Sequence, residues 1–152
     1  DLVRSRGLGD VYKRQVTETG ETVSSDDYRG GVLVVNFWYA ACGPCIVEAP
    51  MLEEVWQEYQ DQGVAFLGVN TYDQPATALS FARDNNVTYP SVIDVNDGRV
   101  KLAFAQVTPI QATPTTLVID QEGRVAARII GQLASASILS TLVADTLAED
   151  TS

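Results

Sequence analysis

The chain has 152 residues, 45% of them apolar and 20% charged, with a formal net charge of −10. That length fits a single domain able to bury about two-thirds of its unfolded-chain surface, and the acidity argues against electrostatic binding to nucleic acid or anionic lipid. Histidine is absent and there are two cysteines, which excludes imidazole-dependent catalysis, His-ligated metals, a four-thiolate zinc site and a disulfide-scaffolded mini-protein.

In chain order, the first fifteen residues stand apart. DLVRSRGLGDVYKRQ sets Arg4, Arg6, Lys13 and Arg14 against Asp1 and Asp10, so this short segment is basic in an acidic chain. No apolar stretch of signal-peptide length follows it, and nowhere is there a run of about 18 apolar residues that would span a membrane. The part Asp10–Gln15, DVYKRQ, resembles the translated end of a transposon used to prepare sequencing libraries. Residues 1–15 are therefore expected to be adaptor-derived and 16–150 to form one domain. The native N-terminus, with any signal or anchor, would then be missing.

Gly20–Glu21 marks a turn, and Thr22–Tyr28 leads into Gly30–Gly31. Val32–Tyr39 is a near-continuous apolar run rich in β-branched and aromatic residues, the pattern of a strand covered on both faces. Beyond Cys42–Cys45, the segment Ile46–Gln62 places Ala49, Leu52, Val55, Trp56 and Tyr59 on one helical face. Pro44 suits a first helical turn, Pro50 should kink the helix, and Gly63 should stop it. Val64–Asn70 reads as a second buried strand, Pro75–Asn85 as a helix, and Ser91–Val95 as a short apolar stretch. Asn96-Asp97-Gly98 is a turn and Val100–Ala105 a short helix. Thr115–Asp120 and Arg124–Ile130 read as a hairpin about Gln121-Glu122-Gly123. A last helix, capped by Ser135 or Ser137, should run to about Glu149. Alternating elements predict an α/β domain, and the late hairpin predicts a mixed sheet.

The chemistry lies at Cys42-Gly43-Pro44-Cys45. A Cys pair at a strand-to-helix junction places one sulfur in the first helical turn, where unpaired N–H groups and the helix dipole favour a thiolate. By position Cys42 is expected to be the more exposed and to attack. Cys45, one turn further in, would resolve the mixed disulfide. Gly43 admits a partner chain and Pro44 keeps both sulfurs in reach. Half a metal site and an inert structural disulfide are the rival readings. The first lacks further ligands, and the second would close too short a loop to stabilise much.

The run NFWYAACGPC, Asn36–Cys45, resembles the active-site segment of thioredoxin-like proteins, as do Pro50 and Thr113-Pro114. Within that superfamily GETV, DYRGGVLVVNFW, ACGPCIVEAPML, TYPSVID and TPTTLVIDQEGRV resemble the ordered blocks of TlpA/ResA-type disulfide reductases, with their redoxin or AhpC/TSA-like domain. The resemblance implies a thioredoxin-like fold with a mixed central sheet flanked by helices on both faces. It implies a cis bond before Pro114 beside the cysteines, with the Thr113 backbone presented to an extended substrate. Trp38 would pack near the site, plain core packing being the rival. Glu48 matches the family's acidic residue. It lies one helical turn from Cys45, and partial burial would raise its pKa so that it handles the Cys45 proton; a solvated helix glutamate is the alternative. Two departures stand out. Asn36 replaces the buried Asp of plain thioredoxins, and Ala41 replaces the usual Trp before the first cysteine.

The resemblance thus implies an extracytoplasmic disulfide reductase using the Cys42–Cys45 dithiol, with no other cofactor and no metal. Its partners would be protein disulfides, apocytochrome c during haem attachment among them, and a membrane thiol-disulfide electron donor. Nucleic acid is not expected as a partner, and the chain is expected to be monomeric. A disulfide oxidase for secreted proteins and a non-catalytic thioredoxin-fold binding module remain as alternatives. Peroxide reduction is disfavoured, because Tyr39 and Val35 stand where a peroxiredoxin loop would need Thr and Pro.

Overall fold

The computed structural model describes residues 15–105 and 108–150. The leading segment assigned above to an adaptor lies outside the described residues except for Gln15, which enters the first strand. The elements are β1 (Gln15–Val16), β2 (Thr22–Val23), a 3-10 turn (Ser25–Tyr28), β3 (Val32–Trp38), α1 (Gly43–Tyr59), β4 (Val64–Asn70) and α2 (Pro75–Asp84). They continue with β5 (Ser91–Ile93), α3 (Arg99–Ala105), β6 (Thr115–Ile119), β7 (Val125–Ile130) and α4 (Ala136–Asp150).

The mixed sheet predicted from the late hairpin is present, in the order β5-β4-β3-β6-β7. β3 runs parallel to β4, and β4 to β5, whereas β6 runs antiparallel to both β3 and β7. Every residue of β3 is buried, as its unbroken apolar run demands. Its alternate side chains serve two layers. Leu33, Val35 and Phe37 face Val100, Ala103 and Phe104 of α3 on one side. Val32 and Val34 face Leu52 and Val55 of α1 and Leu139 and Val143 of α4 on the other. Helices therefore cover both faces. A third apolar cluster, at the C-terminal end of β3, joins Trp38, Cys42, Cys45, Ala78 and Ile93.

The structure refines the sequence reading at four points. α1 starts at Gly43 rather than Ile46, because Cys42 takes the N-cap position and Pro44 fits the first turn. The helix runs on through Pro50 and ends at Tyr59, ahead of Gly63 with φ +77°. The β1–β2 pair is a two-residue ladder about the Gly20 turn, too short to show as a periodic pattern. α4 begins at Ala136, which leaves Ser135 just before the helix and Ser137 within it.

Candidate active site

The buried strand β3 delivers the chain through Tyr39–Ala41 to Cys42, the N-cap of α1. Cys42 and Cys45 form a disulfide with Cα atoms 5.2 Å apart. The backbone N–H of Cys45 donates to Cys42 Sγ at 3.2 Å, so the sulfur sits among the free donors of the helix start. The expected contrast in exposure is absent, since both cysteines are 3% exposed. Cys42 is covered from across the fold: its sulfur lies 3.8 Å from the Thr113 carbonyl oxygen. The Thr113–Pro114 bond is cis, as the resemblance implied, and the Thr115 hydroxyl ties this turn to the Ala112 carbonyl at 2.5 Å. Gly43 and Pro44 are exposed at the mouth, and a Cβ added at Gly43 would meet nothing within 4 Å.

Trp38 packs against Phe81 of α2, with ring centroids 4.5 Å apart, and donates from Nε1 to Ser91 Oγ at 2.9 Å. This bond depends on Gly68 in the neighbouring strand. A Cβ there would overlap Ser91 Oγ and stand 2.8 Å from Trp38 Nε1. A small cavity of about 10 Å³ adjoins this wall, bounded among others by Cys45, Asn36, Trp38, Tyr89 and Ser91. That is about the volume a single water requires.

Glu48 is fully buried, which removes the solvated alternative. Its Oε2 accepts from Asn36 Nδ2 at 2.8 Å and its Oε1 from the Leu133 backbone N–H at 2.8 Å. Neither oxygen bonds a cysteine among the described residues. Burial pushes the Glu48 carboxyl above the usual range, and the Leu133 and Asn36 hydrogen bonds only partly oppose this. Asn36, the departure from plain thioredoxins, uses its second N–H on Thr116 Oγ1 at 3.0 Å. It thus connects the cavity wall to the carboxylate.

Sequence reasoning missed a brace on the other side of the cysteine loop. Asp73 Oδ2 accepts from the Ala40 backbone N–H at 2.7 Å and from Asn70 Nδ2 at 2.9 Å. Asn70 Oδ1 accepts from the N–H groups of Tyr72 and Asp73 at 3.1 and 2.6 Å. The turn-prone order Asn70-Thr71-Tyr72-Asp73 was the available signal. Gly68, Ser91 and Leu133 gave no local signal, because each acts through a partner remote in sequence.

The AhpC/TSA family model matches residues 11–128 of this chain. The chain belongs to the AhpC/TSA family. Among its relatives in that family, the thiol-disulfide oxidoreductase ResA of Geobacillus thermodenitrificans is 38% identical over 112 residues. That match covers 74% of this chain and 62% of the relative, so the chain spans less than two-thirds of that protein's length. ResA of Bacillus subtilis is 29% identical over 119 residues, covering 78% of this chain and 64% of the relative. A thiol:disulfide interchange protein of the thioredoxin family from Chlorobium tepidum superposes with a TM-score of 0.82 at 26% identity, covering 94% of this chain and 98% of that one. A DsbF homologue from Corynebacterium diphtheriae gives 0.72 at 28% identity, over 88% and 83%. This AhpC/TSA-family chain therefore has the thioredoxin fold of a TlpA/ResA-type redoxin.

Proposed function

We propose that the protein is a thiol-disulfide oxidoreductase that reduces protein disulfides with its Cys42–Cys45 dithiol. One observation carries this reading: the cysteine pair caps α1 directly opposite the Thr113 carbonyl. The likeness to ResA and to the disulfide interchange protein supports it. In the reduced protein the Cys45 N–H and the helix start favour a thiolate at Cys42. This thiolate attacks one sulfur of the substrate disulfide, forms a mixed disulfide and expels the other sulfur as a thiolate that takes up a proton. Cys45 then loses its proton and attacks Cys42 Sγ. The second substrate thiolate leaves and is protonated, and the protein disulfide forms. Two electrons pass to the substrate, and its two thiolates take up one proton released by Cys45 and one from solvent. An extended substrate pairs with the Thr113 backbone, Trp38 walls the site, and Gly43 and Pro44 leave the approach open. No metal or further cofactor enters the sequence of steps.

Glu48 is the proton acceptor for Cys45 by way of the small cavity; the Asn36 amide, whose N–H groups go to Glu48 and Thr116, holds the carboxylate and carries no proton itself. A water in that cavity bridges the thiol to the Asn36–Glu48 pair. The TlpA/ResA resemblance supports extracytoplasmic action on apocytochrome c, with a membrane thiol carrier restoring the dithiol, as the finer part of this proposal. A Cys45→Ser variant incubated with an oxidised apocytochrome CxxC peptide should accumulate a mixed disulfide at Cys42, read by intact mass and peptide mapping. The absence of any adduct would contradict the reading. A glutathione titration gives the direction. A potential in the reducing range of thioredoxins supports a reductase, and one near the oxidising end of the known range would make the protein an oxidase instead.

A further inference from the structure

We propose that Tyr72, backed by Tyr39 and Asp73, is a substrate-specificity element that selects polypeptide disulfides flanked by a lysine or arginine; the proposal rests on the oxidoreductase reading above. Tyr72 is 70% exposed, the most exposed of the large apolar side chains on the described surface. It is not held loosely. Its own N–H and that of Asp73 bond Asn70 Oδ1, and the N–H of Thr71 bonds the Trp38 carbonyl at 3.1 Å. Asp73 in turn holds Ala40, two residues before the attacking sulfur, and the Tyr72 ring leans on that of Tyr39 with centroids 5.9 Å apart. The aromatic pair is thus fixed to the loop that bears Cys42. An aromatic presented rigidly to solvent costs little further entropy when a partner covers it.

The charge pattern says which partner. Residues 30–82 build β3, α1, β4 and most of α2, and they contain no Lys or Arg, but they do contain Glu48, Glu53, Glu54, Glu58, Asp61 and Asp73. Residues 102–123, which carry the facing Thr113–Pro114 turn, also contain no Lys or Arg. No ion pair neutralises Asp73 among the described residues. A cationic side chain beside the substrate disulfide would therefore meet tyrosine faces and a carboxylate, with no positive group in either segment to repel it.

The test compares oxidation of the reduced protein by three CxxC disulfide peptides that differ only in flanking residues: Lys, Gln or Glu. Stopped-flow tryptophan fluorescence gives the second-order rate constants. At low ionic strength the Lys peptide should react about tenfold faster than the Glu peptide, and in about 0.5 M salt this preference should shrink severalfold. Tyr72→Ser and Asp73→Asn should each lower the Lys/Glu ratio about threefold, whereas Tyr72→Phe should keep it. Equal rates for the three peptides would overturn the proposal. So would a Lys/Glu ratio unchanged in Tyr72→Ser, since the preference would then belong to the net charge of the whole molecule. If the Gln peptide and the small hydroxyethyl disulfide both fail to react, the oxidoreductase reading falls, and this proposal with it.

Discussion

Two hydrogen bonds hold the Glu48 carboxylate where solvent does not reach, and the price is a raised pKa. Between the ordinary glutamate value, about 4.3, and the raised native one, the folded state binds more protons than the unfolded state. Stability from this group is therefore present at acidic pH and is lost as pH rises through the native pKa. Glu48→Gln removes this dependence, although its amide can accept from only one of the two donors and costs about 1–3 kcal/mol at any pH. The Tm of the variant minus that of the parent should increase from pH 4 to pH 8, by about 3 °C for each kcal/mol. In exchange assays the same variant should lose about 10²-fold in the step that releases product from the mixed disulfide. The residue was legible as a candidate because it stands one turn beyond Cys45. Its partners were not legible, since Asn36 lies on another element and Leu133 contributes only a backbone N–H. The burial of Cys42 escaped the sequence for the same reason, because its cover is a carbonyl from the Thr113 turn.

The elements themselves follow the rules of burial. β3 and β4 are readable from their apolar runs because a sheet covered on both faces needs no polar alternation. The start of α1 is less readable, because Gly43 and Pro44 look like loop residues until Cys42 is seen as the cap. The packing between these elements gives two predictions. Leu52 lies on α1 between the sheet and α4 and also lines the cavity beside Cys45. Leu52→Ala should cost about 2–5 kcal/mol in urea unfolding. Gly68→Ala forces Ser91 and Trp38 apart. It should cost about 1–3 kcal/mol and shift the emission of Trp38 as its Ser91 bond breaks, which tryptophan fluorescence of the folded variant would report. Wild-type emission in that variant would show that the strand has room the geometry does not provide.

Over the whole molecule the N-terminal hairpin is fastened to the far edge of the sheet. Glu18 accepts from the Ser91 N–H and gives its own N–H to the Ser91 carbonyl, while Thr17 bridges Val92. The clasp and the redox site thus share Ser91, whose hydroxyl holds Trp38. This link was invisible in a two-residue strand. Glu18→Ala should release the hairpin and speed amide exchange at Ser91, at a cost of about 1–3 kcal/mol; unchanged exchange there would rule the clasp out. The chain has no histidine, and burial raises the carboxyls of Glu18, Glu48 and Asp94, so each of these groups lowers stability as pH rises above the ordinary carboxylate range. The most direct measurement is turnover of a protein disulfide by the Cys42→Ser protein beside the parent, with a thiol reductant supplying electrons. The account predicts reduction by the parent and only the uncatalysed rate from the variant. Turnover by Cys42→Ser equal to that of the parent would contradict it.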